Sequence, residues 1–351
     1  MAILAEQFVH VIGVDTHKLS LTAAAVNASG GCLELLEVRA DTGGHRQLMA
    51  LASRYAGPLL WAVEGTGSYG ASLTAHLLAE GQTVTEVDRP KRSPRKRGKS
   101  DEIDAIRAAR DALAMQRLNT PRRRQEREQL RIMLTTRQEL VSNRTRLANH
   151  LSQLVVTASE SIRARFLDSS LRSHSAERLV RKCLATRCSS RLSGEDRTRL
   201  VAMHDLAHLI RDLTSRADAY EREIESLVEQ LAPGLRAQPG IGTLSAAQIL
   251  VAWSHAGRLP NEAAFAALAG VAPIPASSGQ TVRHRLNRGG DRKLNAALHI
   301  VVLTRCRYDQ ATRDYIARRT AEGKTRRDIR RCLKRYLARQ LFRFLNGIDK
   351  A

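Results

Sequence analysis

The first 88 residues carry five short apolar runs, each of strand length, and their order leaves few folds open. Residues 8–14, 21–26 and 32–38 follow one another directly, with Gly30 and Gly31 between the second and third. Direct succession across a glycine turn is the signature of hairpin-linked antiparallel strands. The runs at 59–63 and 83–87 arrive differently. Helical spacing precedes each, with Leu48, Leu51, Ala52 and Tyr55 within 44–55, and an apolar stretch at 73–78. Strands separated by helices favour parallel pairing through crossovers. The N-terminal region is therefore expected to form a mixed sheet with helices on its faces.

Positive charge is distributed unevenly along the 351 residues. The chain holds 57 Lys plus Arg against 35 Asp plus Glu, a net charge of +22. Residues 89–146 contain 18 basic and 7 acidic residues, and residues 283–351 contain 20 and 6. The remainder is slightly acidic. A GC-rich genome explains Arg in place of Lys but not concentration in two blocks. Clustered Arg is the electrostatic footprint of phosphate binding, so nucleic acid is the expected partner. No apolar run reaches the roughly 18 residues that span a bilayer. The N-terminal residues lack the basic and apolar segments of a signal peptide. Five cysteines, with no Cys-x-x-Cys pair, fit free thiols in a reducing cytoplasm and argue against structural zinc.

The middle and C-terminal parts read as helical. Pro121 is expected to open a long helix with apolar positions at Leu130, Met133, Leu134, Leu140, Leu147, Leu151 and Leu154, close to a seven-residue repeat. A second stripe runs through Leu200, Met203, Leu206, Leu209, Leu213, Tyr220, Ile224, Leu227 and Leu231. The two stripes suit an antiparallel hairpin, a dimer interface, or packing within one domain. Pro233 and Gly234 end the second stripe. The following Pro239-Gly-Ile-Gly-Thr segment resembles a helix-hairpin-helix element, in which backbone N–H groups meet a phosphate. Three segments are expected: an α/β domain over 1–120, a helical coiled-coil region over 121–232, and a mostly helical basic domain over 233–351.

Four acids stand where chemistry is possible. Asp15 and Glu64 each follow a strand-length apolar run, while Asp101 and Asp104 share one face at the start of a helix capped by Ser100. Four converging carboxylates suit two Mg²⁺ ions acting in phosphoryl transfer. Taken singly, each acid has an ordinary structural use in capping a turn or meeting a helix dipole.

Gly13-Val-Asp-Thr-His-Lys18, Val63-Glu-Gly-Thr-Gly-Ser68 and Lys99-Ser-Asp-Glu-Ile-Asp-Ala105 together resemble the DEDD transposases of the bridge-RNA-guided insertion-sequence family. Further along, Leu268-Ala-Gly-Val-Ala-Pro273, Ser278-Gly279 and Arg288-Gly-Gly-Asp-Arg-Lys293 match its second domain in order. The resemblance implies an RNase H/RuvC-like domain, a coiled coil and a serine-bearing transposase domain. It implies that Asp15, Glu64, Asp101 and Asp104 bind Mg²⁺, and that the catalytic serine is Ser278. Ser277 is the neighbouring alternative, and Ser278 is favoured because it directly precedes Gly279. It further implies double-stranded donor and target DNA, a non-coding guide RNA, a dimer of dimers, and action at the nucleoid.

Other readings compete for the same residues. Gly65-Thr-Gly-Ser-Tyr-Gly70, with Asp88 downstream, fits a dinucleotide fingerprint, but it does not follow the first strand. His204 and His208 have zinc-protease spacing without an evident third ligand. A hydrolytic RuvC-type nuclease would use the four acids with water and leave the serine loop without a role. A non-catalytic nucleic-acid-binding protein would leave the acids themselves without one.

Overall fold

The computed structural model describes residues 3–88, 100–166, 176–187, 194–276 and 284–348. The basic loop at 89–99 and the serines Ser277 and Ser278 lie outside the described residues. The chain divides into two compact units, Met1–Arg123 and Arg124–Ala351.

The first unit is built on strands β1 (His10–Thr16), β2 (Ser20–Asn27), β3 (Cys32–Arg39), β4 (Leu59–Glu64) and β5 (Val84–Val87). Their order across the sheet is β3-β2-β1-β4-β5. β1, β2 and β3 pair antiparallel, while β4 runs parallel to both β1 and β5. This is the mixed, RuvC-like sheet expected from the order of apolar runs. The β2–β3 hairpin closes where the Asn27 carboxamide accepts from the Gly31 N–H and Gly30 takes φ +84°. Helices α1 (Thr42–Ala52), α2 (Ala71–Ala79) and α3 (Asp101–Leu113) complete the unit.

Strand alternation sends successive side chains to opposite faces. Ile12, Val14, Trp61 and Val63 face one layer with Leu48 and Leu51 of α1 and Leu73 and Leu77 of α2. Val11, Leu60 and Ala62 face the other with Ala105, Ala108, Ala109 and Ala112 of α3. The α3 layer is thin because its contact face is alanine. At the crossing point even alanine on β1 would not fit. A Cβ on Gly13 would stand 2.1 Å from the Ala105 carbonyl oxygen and 2.6 Å from the Ala109 nitrogen.

The second unit opens with α4 (Glu126–Val156), followed by α5 (Glu160–Phe166), α6 (Ala176–Ala185) and α7 (Gly194–Leu231). The expected helix start at Pro121 falls short of the structure by five residues. Gln125, at φ +52°, breaks the helical path immediately before Glu126. Likewise α3 stops at Leu113 rather than near Leu118.

α4 and α7 run antiparallel. Leu130 near the start of α4 shares a core with Ile224 and Val228 near the end of α7. Leu151 and Val155 share another with Leu200 and Met203, closed by Ile162 and Phe166 of α5 and Cys183 of α6. Burial pushes the Cys183 thiol up to about 11. The buried row of α7 is Leu200, Met203, Ala207, Ile210, Ala217, Ile224 and Val228. The expected stripe drifts off this row in the middle, where Leu209 is exposed and the alanines carry the contact.

Helices α8 (Thr243–Trp253), α9 (Glu262–Leu268), α10 (Arg292–Tyr308), α11 (Gln310–Ala321) and α12 (Arg326–Ile348) follow. Trp253, Phe265, Leu298, Val301, Leu341 and Leu345 share the core that α4 and α7 enter. Gly240 takes φ +77° in the turn before α8, against the Val301 carbonyl of α10. A two-stranded ribbon, β6 (Ile274–Pro275) and β7 (His284–Arg285), lies between α9 and α10.

Replacing Gly13 by alanine forces backbone apart rather than a flexible side chain. G13A is expected to lower unfolding stability by about 3 kcal/mol, the upper range for overpacking a closed core. Urea denaturation checks this, and an unchanged midpoint would show that α3 does not depend on the close approach.

Candidate active site

The strand register places two acids side by side. β1 and β4 are parallel with Val14 opposite Val63, so Asp15 and Glu64 sit one residue further along neighbouring strands. Both have the parity of Val11, Gly13 and Ala62, which is the α3 face. Thr16 Oγ1 donates to the Glu64 carbonyl at 3.1 Å and ties the two strand ends together. The glycine turn after β4 also packs here. A Cβ on Gly70 would stand 2.8 Å from the Glu64 carbonyl oxygen and 3.1 Å from a Thr16 methyl. The Gly65–Gly70 segment thus has a structural role in shaping the end of β4.

Because α3 lies close to β1, its first turn brings Asp101 and Asp104 to the same edge. Asp15, Glu64 and Asp104 are 5%, 3% and 7% exposed, while the Asp101 side chain is 44% exposed. Ser100 holds the N-cap position in extended conformation, but its side chain makes no capping hydrogen bond, contrary to expectation. The acids of the first turn, Asp101, Glu102 and Asp104, meet the positive helix end instead.

Two residues that were given no role by sequence divide the four acids into pairs. Arg107 Nη1 donates to Asp104 Oδ1 at 2.6 Å, and its Nη2 donates to Glu64 Oε1 at 2.7 Å. His17 Nε2 lies 3.2 Å from Asp15 Oδ2 and 3.4 Å from Asp101 Oδ1. His17 is two residues beyond Asp15, and Arg107 is one helical turn beyond Asp104. That spacing on a shared face is the signal that finds Arg107.

The electrostatics are strained toward a cation. Burial raises the Glu64 carboxyl above its ordinary range, and the Asp15 and Asp104 charges push it the same way against the pull of Arg107. Burial of the Arg107 guanidinium opposes its charge. Its hydrogen bonds to Glu64 and Asp104 outweigh that and raise it. Carboxylates crowded in a region of low dielectric are stabilised by an ion of opposite charge.

The donor set fits a hard divalent cation, since the carboxylates supply the oxygen ligands that Mg²⁺ takes. Among the described residues, single ligand atoms of Asp15, His17 and Asp101 lie within 4.8 Å of one another. His204 and His208 join no such group; their rings meet edge to face at 4.5 Å on α7, and His208 contacts Arg211. Among the described residues no helix is long and apolar enough to cross a membrane.

A RuvC-like sheet whose strand-end acids Asp15 and Glu64 lie near acids of the crossing helix is a nucleic-acid-enzyme fold with a candidate carboxylate site. Comparison with known proteins narrows the class. Residues 12–159, which include all four acids, match the DEDD transposase family of IS110, and residues 233–317 match the family described as Transposase IS116/IS110/IS902. The chain is 26% identical over 357 residues to the Insertion element IS116 uncharacterized 44.8 kDa protein of Streptomyces clavuligerus, covering 89% of this chain and 88% of that protein. It is 33% identical over 128 residues to the Insertion element IS110 uncharacterized 43.6 kDa protein of Streptomyces coelicolor. That second alignment covers 36% of this chain and 32% of its relative. The chain belongs to the IS110/IS116 family of DEDD transposases.

Removing the guanidinium takes away the hydrogen bonds that Arg107 donates to Glu64 and Asp104. R107Q is expected to lose roughly 3 kcal/mol of stability without divalent ions, the cost of breaking a buried pair. Added Mg²⁺ should then raise its melting temperature more than that of the wild-type chain, by mass action on carboxylates that Arg107 no longer engages. Equal Mg²⁺-induced shifts would separate Arg107 from the cation site.

Proposed function

We propose that this protein is a mobile-element recombinase that cuts and rejoins DNA by serine attack on a phosphodiester. The observation that carries the reading is the convergence of Asp15, Glu64, Asp101 and Asp104 at one sheet edge. Family membership and the two basic segments support it. Its proposed organisation keeps the three segments 1–120, 121–232 and 233–351.

In this reading the four acids would hold Mg²⁺, two ions per site, and the metal would supply the positive charge that phosphoryl transfer needs. β1 and β4 fix Asp15 and Glu64, the first turn of α3 presents Asp101 and Asp104, and His17 holds Asp15 and Asp101 together. Arg107 holds Glu64 and Asp104 in place when no ion is bound.

Ser278 is the proposed nucleophile. A serine hydroxyl is a weak nucleophile at neutral pH and requires activation. Its oxygen bonds to phosphorus as the bond from phosphorus to the 3′ oxygen breaks. The hydroxyl proton is given up to a base, and the departing oxygen takes one up. The phosphoserine ester retains the bond energy for rejoining, with no external energy source.

The proposed partners are double-stranded donor and target DNA, with a non-coding RNA that pairs with both. Arg-rich segments suit an RNA–DNA duplex held by backbone and shape, leaving sequence to base pairing. The active form is proposed as a dimer of dimers, acting in the cytoplasm at the nucleoid.

The test incubates the full chain with Mg²⁺, its element-end DNA and RNA transcribed from the flanking non-coding region, and resolves products on a denaturing gel. A covalent protein–DNA adduct is expected. S278A should abolish it with DNA binding intact, and D15N and D104N should reduce it by at least about 100-fold, a loss typical for removing one transition-state contact. An adduct that persists in S278A and disappears in S277A would move the nucleophile by one residue. Cleaved DNA without adduct would establish a hydrolytic nuclease.

A further inference from the structure

The second unit contains a cavity of about 410 Å³. It lies between the turn at Gly270–Pro273, the strand β7 and one face of α12. Its size is within the roughly 300–1,000 Å³ of small-ligand sites. Val271, Ala272, Pro273 and Leu286 give it apolar lining, and Tyr336 adds an aromatic ring.

Its charge is one-sided. Arg285, Arg331, Lys334 and Arg335 line it against a single acid, Asp328. Asp328 is already engaged by Arg331 at 3.1 Å and by the Thr325 hydroxyl at 2.6 Å. Lys334 donates to Asn295 Oδ1 at 3.1 Å, a neutral acceptor. Burial, together with the Arg331 charge, lowers the Lys334 ammonium from its ordinary value. Most telling is Arg335, whose Nη1 is buried without a hydrogen-bond partner among the described residues. A guanidinium nitrogen withdrawn from water and left unsatisfied costs stability, and a turn of the Arg335 side chain into the cavity it lines, onto an incoming anion, would relieve that cost.

We propose that this cavity binds one unstacked nucleotide of a single-stranded nucleic acid, with its phosphate on Arg335 and Lys334 and its base against Tyr336 and Leu286. Arg supplies the forked donors that match a phosphate, and aromatic and apolar surfaces accept the face of any base. An apolar lining beside a cationic cluster suits a nucleotide better than a bare inorganic anion, which has no use for the apolar wall. The inference takes the chain to be a nucleic-acid enzyme but not any particular chemistry. Its test therefore omits divalent metal and reads binding alone, so failure of the serine mechanism leaves it standing.

The experiment mixes the full chain with a DNA pentanucleotide carrying 2-aminopurine at its centre, at fixed ionic strength. An RNA pentanucleotide of the same sequence and inorganic phosphate are separate arms. Occupancy predicts a saturable change in 2-aminopurine emission. R335Q should weaken affinity about tenfold, the loss of one charge-assisted hydrogen bond. Because Nη1 has no partner to lose, the same variant should melt no lower than wild type, an outcome a purely structural arginine would not give. L286W, at a half-exposed position, should fill the cavity and remove the emission change while the fold is retained. Equal signals from DNA and RNA mean that the sugar is not read, and a preference identifies which strand enters; both sustain the proposal. Wild-type affinity in R335Q, an unchanged signal in L286W, or competition by phosphate with no emission change from either oligonucleotide would overturn it.

Discussion

A helix can lie on a sheet only as closely as the side chains between them allow. In the first unit that distance is set by four alanines of α3 and by Gly13 of β1, where a single added carbon would strike the α3 backbone. Bulkier residues would lift α3 and carry its first turn away from the strand ends. Asp101 and Asp104 reach Asp15 and Glu64 because this contact is nearly side-chain-free. The packing of small residues and the geometry of the acids are therefore one feature of the fold.

Bringing acids together has an electrostatic cost. Three of the four are almost fully buried, and Glu64 is driven toward its neutral form by burial and by its neighbours. The Arg107 guanidinium between Glu64 and Asp104 offsets part of the repulsion, and the His17 imidazole lies between Asp15 and Asp101. Both bridging residues come from elements that already carry an acid, one residue pair on β1 and its exit, the other on α3. The arrangement holds the carboxylates close together rather than spreading them apart. A polyanionic DNA strand approaching four carboxylates would be repelled unless cations neutralised them, so the proposed function requires cation binding and substrate binding to be coupled.

Much of this was legible in the sequence where one residue type has one use. Strand-length apolar runs in a fixed order specified the mixed sheet, and the acids that end two of those runs specified its edge. The internal partners were harder to see. Arg107 is one arginine among 57 basic residues, and only the fold distinguishes it from those on open surfaces. The contact row of α7 keeps Leu200, Met203 and Ile224 of the expected stripe but departs from it in the middle, where the small residues Ala207 and Ala217 are buried and Leu209 faces solvent. The α4 start was misplaced at Pro121 because Gln125, which has no intrinsic preference for positive φ, is what ends the irregular approach.

The proposed function requires that the four acids form one cation site in this chain. Crystals of the protein soaked in Mn²⁺ test it most directly, through anomalous scattering from the ion. Density bounded by Asp15, Glu64, Asp101 and Asp104 is expected, with the Arg107 guanidinium displaced from at least one carboxylate. Saturating Mn²⁺ with no density there, and Arg107 still bridging Glu64 and Asp104, would contradict it.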